Sequence, residues 1–230
     1  MAQSTATRIR HRTQTPLLLV ALCVLVPAFV LTGCSSAYYN TMEKFGVHKR
    51  DIMVDRVKEA RDAQTEAKEQ FKSALEQFTE VVQVKGGNLE AQYKKLNSEY
   101  ERSKAKADQV HQRIDAVESV SEALFREWKA ELREYANASL RQDSERKLET
   151  TRRQYEQLIT AMKRAESKIQ PVLTVFHDQV LYLKHNLNAQ AIASLQGEML
   201  SLERTVDQLI REMEESIREA DIFITRLQQS

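Results

Sequence analysis

Apolar residues recur along this chain at alternating spacings of three and four, the period that lines one face of an α-helix. Met53, Val57, Ala60, Ala67, Phe71, Ala74, Phe78 and Val81 form a first run, interrupted only by Gln64. Gly86-Gly87-Asn88 then offers a left-handed stop and a new N-cap. A second run passes through Leu89, Tyr93, Leu96, Tyr100, Ala107, Val110, Ile114, Val117, Leu124, Trp128 and Tyr135, and fades at Asn137. Ser139-Leu140-Arg141-Gln142 has the form of a capping box, so a third helix is expected to open there. Leu148, Tyr155, Leu158, Met162, Ala165, Ile169, Val172, Phe176 and Leu183 continue that helix in phase across Pro171. A proline that leaves the phase intact predicts a kink with one internal hydrogen bond lost, and not a domain boundary. The last run is the most regular: Ile192, Leu195, Met199, Leu202, Val206, Leu209, Met213, Ile217 and Ile224. Asn186-Leu187-Asn188 offers a turn before it, although Leu183, Leu187 and Ala191 also stay in phase through a continuous helix.

The expected fold is therefore all-α, with helices over 45–84, 89–136, 140–186 and 189–228, each roughly 60–70 Å long at 1.5 Å per residue. Similar lengths and short connections favour one long antiparallel four-helix bundle over residues 45–230, the third helix kinked at Pro171. A partly open coiled-coil hairpin that completes its core by dimerising satisfies the same pattern. Composition agrees with either: beyond Cys34 there is a single proline, Pro171, and four glycines.

The first 33 residues follow a different rule. Arg8, Arg10 and Arg12 precede an apolar run from Leu17 to Leu31, which contains Pro27 and falls short of the roughly 20 residues that span a bilayer. That order is a secretory signal, expected to be cleaved after residue 33. Leu31-Thr32-Gly33-Cys34 resembles the lipobox recognised by lipoprotein signal peptidase, so Cys34 is expected to carry acyl chains such as palmitate. Each buried methylene contributes about 0.8 kcal/mol, enough for two or three chains to hold residues 34–44 as a permanent tether to the membrane.

Removing residues 1–33 takes away three arginines and no carboxylate, which moves the formal charge from +1 to −2. A near-neutral surface argues against nucleic acid as a partner. Cys23 leaves with the signal and Cys34 is acylated, so no thiol remains for a disulfide, a metal or nucleophilic catalysis.

The stretch Phe45-Gly46-Val47-His48-Lys49-Arg50-Asp51-Ile52-Met53-Val54-Asp55-Arg56-Val57 carries a resemblance to a known family. So does Pro171-Val172-Leu173 through Leu183-Lys184-His185-Asn186-Leu187-Asn188-Ala189. Together they resemble the bacterial lipoproteins grouped as domain of unknown function 2959. The resemblance spans the mature chain and implies a secreted helical lipoprotein of Gram-negative bacteria, with no activity attached. Sorting signals of such lipoproteins read the residue after the cysteine; Ser35, in place of aspartate, implies the periplasmic face of the outer membrane rather than the inner membrane.

Catalytic chemistry has no signature here. There is no G-x-S-x-G, no H-E-x-x-H and no glycine-rich phosphate loop, so no enzymatic activity and no cofactor are expected. Asp108-Gln109-Val110-His111 comes nearest to the Glu-x-x-His of di-iron bundles, but it lacks the glutamate and a second copy. His177 and His185, eight residues apart, lie near one face; without a third ligand they read as solvent-edge histidines, with pH sensing as the alternative. Phe176, His177, Tyr182 and His185 belong to the least polar part of the mature chain and form a candidate partner surface, against the plainer reading that the stretch is core. Tyr38, Tyr39 and Phe45 follow the cysteine closely, either laying the tether on the headgroups or capping the bundle. Charge runs such as Arg211 to Glu215 and Arg50 to Arg61 read as solvated faces.

These features converge on a non-enzymatic, lipid-anchored periplasmic bundle acting as a scaffold or adaptor toward an envelope protein or a second copy of itself. The alternative is a binding module whose interior takes up a small apolar ligand or lipid, with Ala60, Ala67 and Ala74 either narrowing the bundle or leaving that space.

Overall fold

The computed structural model describes residues 48–83 and 88–229. The alternation of small and aromatic residues in the first run produces α1 (Lys49–Gln83), in which Met53, Val57, Ala60, Ala67, Phe71, Ala74 and Phe78 are all fully buried. Gln64 shares that stripe and is also fully buried, with neither its amide nitrogen nor its oxygen hydrogen-bonded.

The second helix, α2 (Leu89–Glu131), opens where the sequence predicts. Asn88 takes an extended conformation, and its Oδ1 accepts from the Ala91 N–H at 3.1 Å. It closes at Glu131 and not at 136, followed by a turn through Leu132 to Glu134. The next helix, α3 (Ala138–Ser167), is capped by Asn137, whose Oδ1 accepts from the backbone N–H groups of Ser139 at 2.9 Å and Leu140 at 3.2 Å. The expected capping box at Ser139 is thus replaced by a cap two residues earlier. Asparagine adopts the extended N-cap conformation readily, and its side chain satisfies two orphan donors at once.

The third arm is interrupted at Lys168, after which α4 (Ile169–His185) begins, so the single helix expected over 140–186 is two. The interruption precedes Pro171 by three residues, and the proline lies in the first turn of α4. A proline ring collides with the carbonyl four residues before it, here that of Ser167, and an N–H is dispensable within a first turn. The disruption therefore falls on the N-terminal side of the ring. Asn186-Leu187-Asn188 does form a turn. Asn188 caps α5 (Ala189–Gln229), its Oδ1 accepting from the Ala191 N–H at 2.9 Å.

Four antiparallel arms result, the third made of α3 and α4, and the described residues contain no strand. The first arm, α1, packs beside α2 and α5, while α3 and α4 pack on the outer sides of both and lie diagonal to α1. The diagonal is closed by rings: Phe176 of α4 stacks on Phe78 at 4.8 Å between centroids and on Phe71 at 6.3 Å. Ala60, Ala67 and Ala74 are fully buried on α1, which packs against both α2 and α5.

Charged pairs fix the register. Arg61 meets Asp221 at 2.8 Å and Lys68 meets Glu214 at 3.5 Å, joining α1 to α5. Lys106–Glu66 at 2.6 Å and Arg113–Glu59 at 2.7 Å join α2 to α1. Some of the interleaved charges are therefore interhelical as well as solvated. At the near end, Lys49 lies 3.0 Å from Glu127, Arg50 donates to the Leu227 carbonyl, and the Trp128 indole N–H donates to Ser144 Oγ at 2.8 Å. At the far end, Lys95 pairs with Glu80 at 3.0 Å and Tyr182 approaches Ser194 at 3.5 Å.

Candidate functional site

The four residues picked out as a partner surface separate in three dimensions. Phe176 is fully buried in the ring stack just described, which removes it from any surface; the apolar content of its stretch is core at that position. His177 is exposed, with its ring 5.4 Å from that of Tyr100 on α2. Tyr182 and His185 are also exposed, close to the far end. Around them Leu181 and Leu187 are each 45% exposed, and Leu200 of α5 is 70% exposed, so the far end carries solvent-facing aliphatic side chains that the core does not use. Cys34 and the recognition residues Leu31, Thr32 and Gly33 lie outside the described residues, as do Tyr38, Tyr39 and Phe45.

A titratable cluster occupies the groove beside the helix break. His111 of α2 places Nδ1 2.6 Å from Glu166 Oε1, one residue before α3 ends, and Nε2 3.4 Å from Asp115. The groove has a volume of about 330 Å³, and Tyr100, Lys104, Asp108 and Gln170 line it with His111 and Glu166. The hydrogen bond to Glu166 leads, and the charges of Asp115, Glu166 and Asp108 add to it, in holding the His111 pKa above the ordinary histidine value. Protonated, His111 is a surface clasp between α2 and the last turn of α3. The spacing of Asp108, His111 and Asp115 at i, i+3 and i+7 was readable as one helical face; Glu166 was not, because it arrives through the α2–α3 register. Among the described residues no group of three or more His, Cys, Asp or Glu side chains is placed to hold a metal ion.

A second groove, of about 770 Å³, opens between α2 and α3 at the near end. Arg126, Lys129, Arg133 and Arg152 line it together with Glu122, Glu156, Phe125 and Tyr155. Phe125 and Tyr155 meet edge to face at 5.5 Å and form its apolar floor, where burial pushes the Tyr155 hydroxyl pKa up. Beyond the groove, Tyr135 and Leu140 stand exposed at the α2–α3 connection. The sequence pattern assigned Tyr135 to the apolar run, but α2 has ended before reaching it.

A family model described as Protein of unknown function (DUF2959) matches residues 38–227, which takes in every helix described above except the last two residues of α5. The chain belongs to this family. Neither a curated protein nor a solved structure matches it. The DUF2959 region therefore includes both grooves and the far-end aliphatic residues, and the expected signal and Cys34 precede it. No helix among the described residues is long and apolar enough to cross a membrane.

Proposed function

We propose that this DUF2959 protein is a lipid-anchored component of the bacterial envelope, held by acyl chains on Cys34, that acts as a non-enzymatic scaffold or adaptor. Its address is the periplasmic face of the outer membrane, in keeping with Ser35 after the acylated cysteine. The observation that carries this reading is the division of labour between the two ends of a long bundle. The described chain starts at the near end, beside Glu127 and Leu227, while Leu181, Leu187 and Leu200 are exposed toward the other. At 1.5 Å per residue the 43 residues of α2 extend about 65 Å, so an anchor at one end would carry the other well clear of the bilayer.

The grooves described are open and lined by charged side chains, and the small residues of α1 are fully buried. Both features favour a packed interior over one that houses a ligand. The test has two arms. Acyl chains on Cys34, read by mass spectrometry of protein purified from envelopes and lost in Cys34→Ala, are expected. Photoreactive residues at Leu181, Leu187 and Leu200 are expected to capture one and the same envelope protein, or a second copy, in intact cells. A bare Cys34 would sink the anchor, and a turnover abolished by changing a bundle-interior residue would sink the non-enzymatic scaffold.

A further inference from the structure

Resting on the lipid-anchored reading above, we propose that the α2–α3 tip is a membrane-contact surface. It takes the phosphates of anionic phospholipid headgroups between Arg126, Lys129, Arg133 and Arg152. Three observations converge on it. The first is position. The tip lies at the end where α1 begins, since Lys49 pairs with Glu127 and Trp128 bonds across to Ser144. His48 follows Cys34 by only 14 residues, a contour of at most about 50 Å, so an anchored cysteine keeps this end within reach of the bilayer.

The second is charge. Elsewhere some surface cations are matched across helices, Lys106 by Glu66, Arg113 by Glu59, Lys163 by Glu118 and Arg164 by Glu212, while others pair within their own helix or, like Lys104, Lys184 and Arg211, make no ion pair among the described residues. Arg126, Lys129 and Arg133 are exposed and make no ion pair among the described residues, and Arg152 has only Glu156 at 3.4 Å. They converge on one groove from α2, the turn that follows it, and α3. Glu122 and Glu156 line the same groove about one turn farther from the tip, away from where a bilayer would lie. Glu127, Glu131 and Glu134 are not among its lining residues, and Glu127 is turned toward Lys49.

The third is the apolar content of the tip. Leu140 is 58% and Tyr135 40% exposed, at the α2–α3 connection beyond the groove and with no core to serve. A tyrosine and a leucine exposed at the tip, with the cations set back from it, match the depth profile of a headgroup region, where phosphates lie just outside the acyl boundary. A groove meant for an acidic protein segment would not need these two side chains held clear of it.

The experiment uses the lipidated full chain in vesicles of phosphatidylethanolamine containing phosphatidylglycerol, with nitroxide on the headgroups. A fluorophore is attached through Leu140→Cys at the tip and, separately, through Leu187→Cys at the far end. Quenching at position 140 and not at 187 is expected, and it should disappear in high salt and in the triple variant Arg126→Gln, Lys129→Gln, Arg133→Gln. These three side chains are exposed, so circular dichroism and thermal unfolding of the variant should match the parent. Equal quenching at the two positions overturns the proposal, as does quenching that survives the triple change. Capture of an acidic protein at the groove without lipid quenching would likewise overturn it. If Cys34 proves unacylated, the anchor reading fails separately, and the chain carrying Cys34→Ala, labelled at position 140 or 187 and added to vesicles, still tests the tip. The triple variant should then partition about a hundredfold more weakly, at about 1 kcal/mol for each cation near the surface.

Discussion

Protonation of His111 strengthens a hydrogen bond that ties α2 to the final turn of α3, 2.6 Å from its Nδ1 to Glu166. Because the pKa is raised in the folded chain, the contribution to stability is fully present below about 6.5 and is lost as the pH rises through the folded value. The ring is exposed and the pair is screened, so the effect is local. NMR titration of the imidazole should place its midpoint above about 6.5 in the parent. In Glu166→Gln the midpoint should fall toward that value, and an unmoved midpoint would remove the clasp. Asp108 and His111 stood out in the sequence only as a partial Glu-x-x-His match, and Asp115 extends their helical face. What raises the pKa most arrives from 55 residues away. The same limit applies at Gln64, visible as a polar break in an apolar run but not as an amide buried without a partner.

At the scale of elements, periodicity located every arm, capping chemistry placed one start, at Asn88, and a turn signal placed another, where the structure adds a cap at Asn188. The third start was misplaced because Ser139 and Gln142 satisfy the capping-box spacing while Asn137, two residues earlier, competes for the same donors. The two caps make opposite predictions. Asn137→Ala should lower stability by about 1 kcal/mol, within a range of roughly 0.5–2, whereas Ser139→Ala should change it by less than about 0.5 kcal/mol. Chemical denaturation of both variants checks this, and a larger loss from Ser139→Ala would restore the capping box. The break at Lys168 follows a similar logic: a proline announces that a helix is disturbed, but the clash it creates is with a carbonyl one turn earlier.

For the molecule as a whole, the ring stack of Phe71, Phe78 and Phe176 joins the two diagonal arms that otherwise meet least. Truncation there should be felt globally. Phe176→Ala is expected to destabilise the bundle by about 3–5 kcal/mol, against less than about 0.5 kcal/mol for the exposed neighbour Leu181→Ala. Thermal unfolding distinguishes them, and a small effect of Phe176→Ala would return that side chain to the surface.

By itself the chain determined that it would be helical, where most helices would stop, which positions would face inward, and which family it belongs to. All of these depend on residues within a turn or two of one another, or on a linear pattern. Tertiary structure decided that Phe176 is core while Tyr182 and His185 are surface, that His111 has Glu166 as its partner, and that four cations from α2, α3 and the turn between them share one groove. Those outcomes depend on the register between helices, which is set by packing and ion pairs between residues dozens of positions apart. No local period encodes that register.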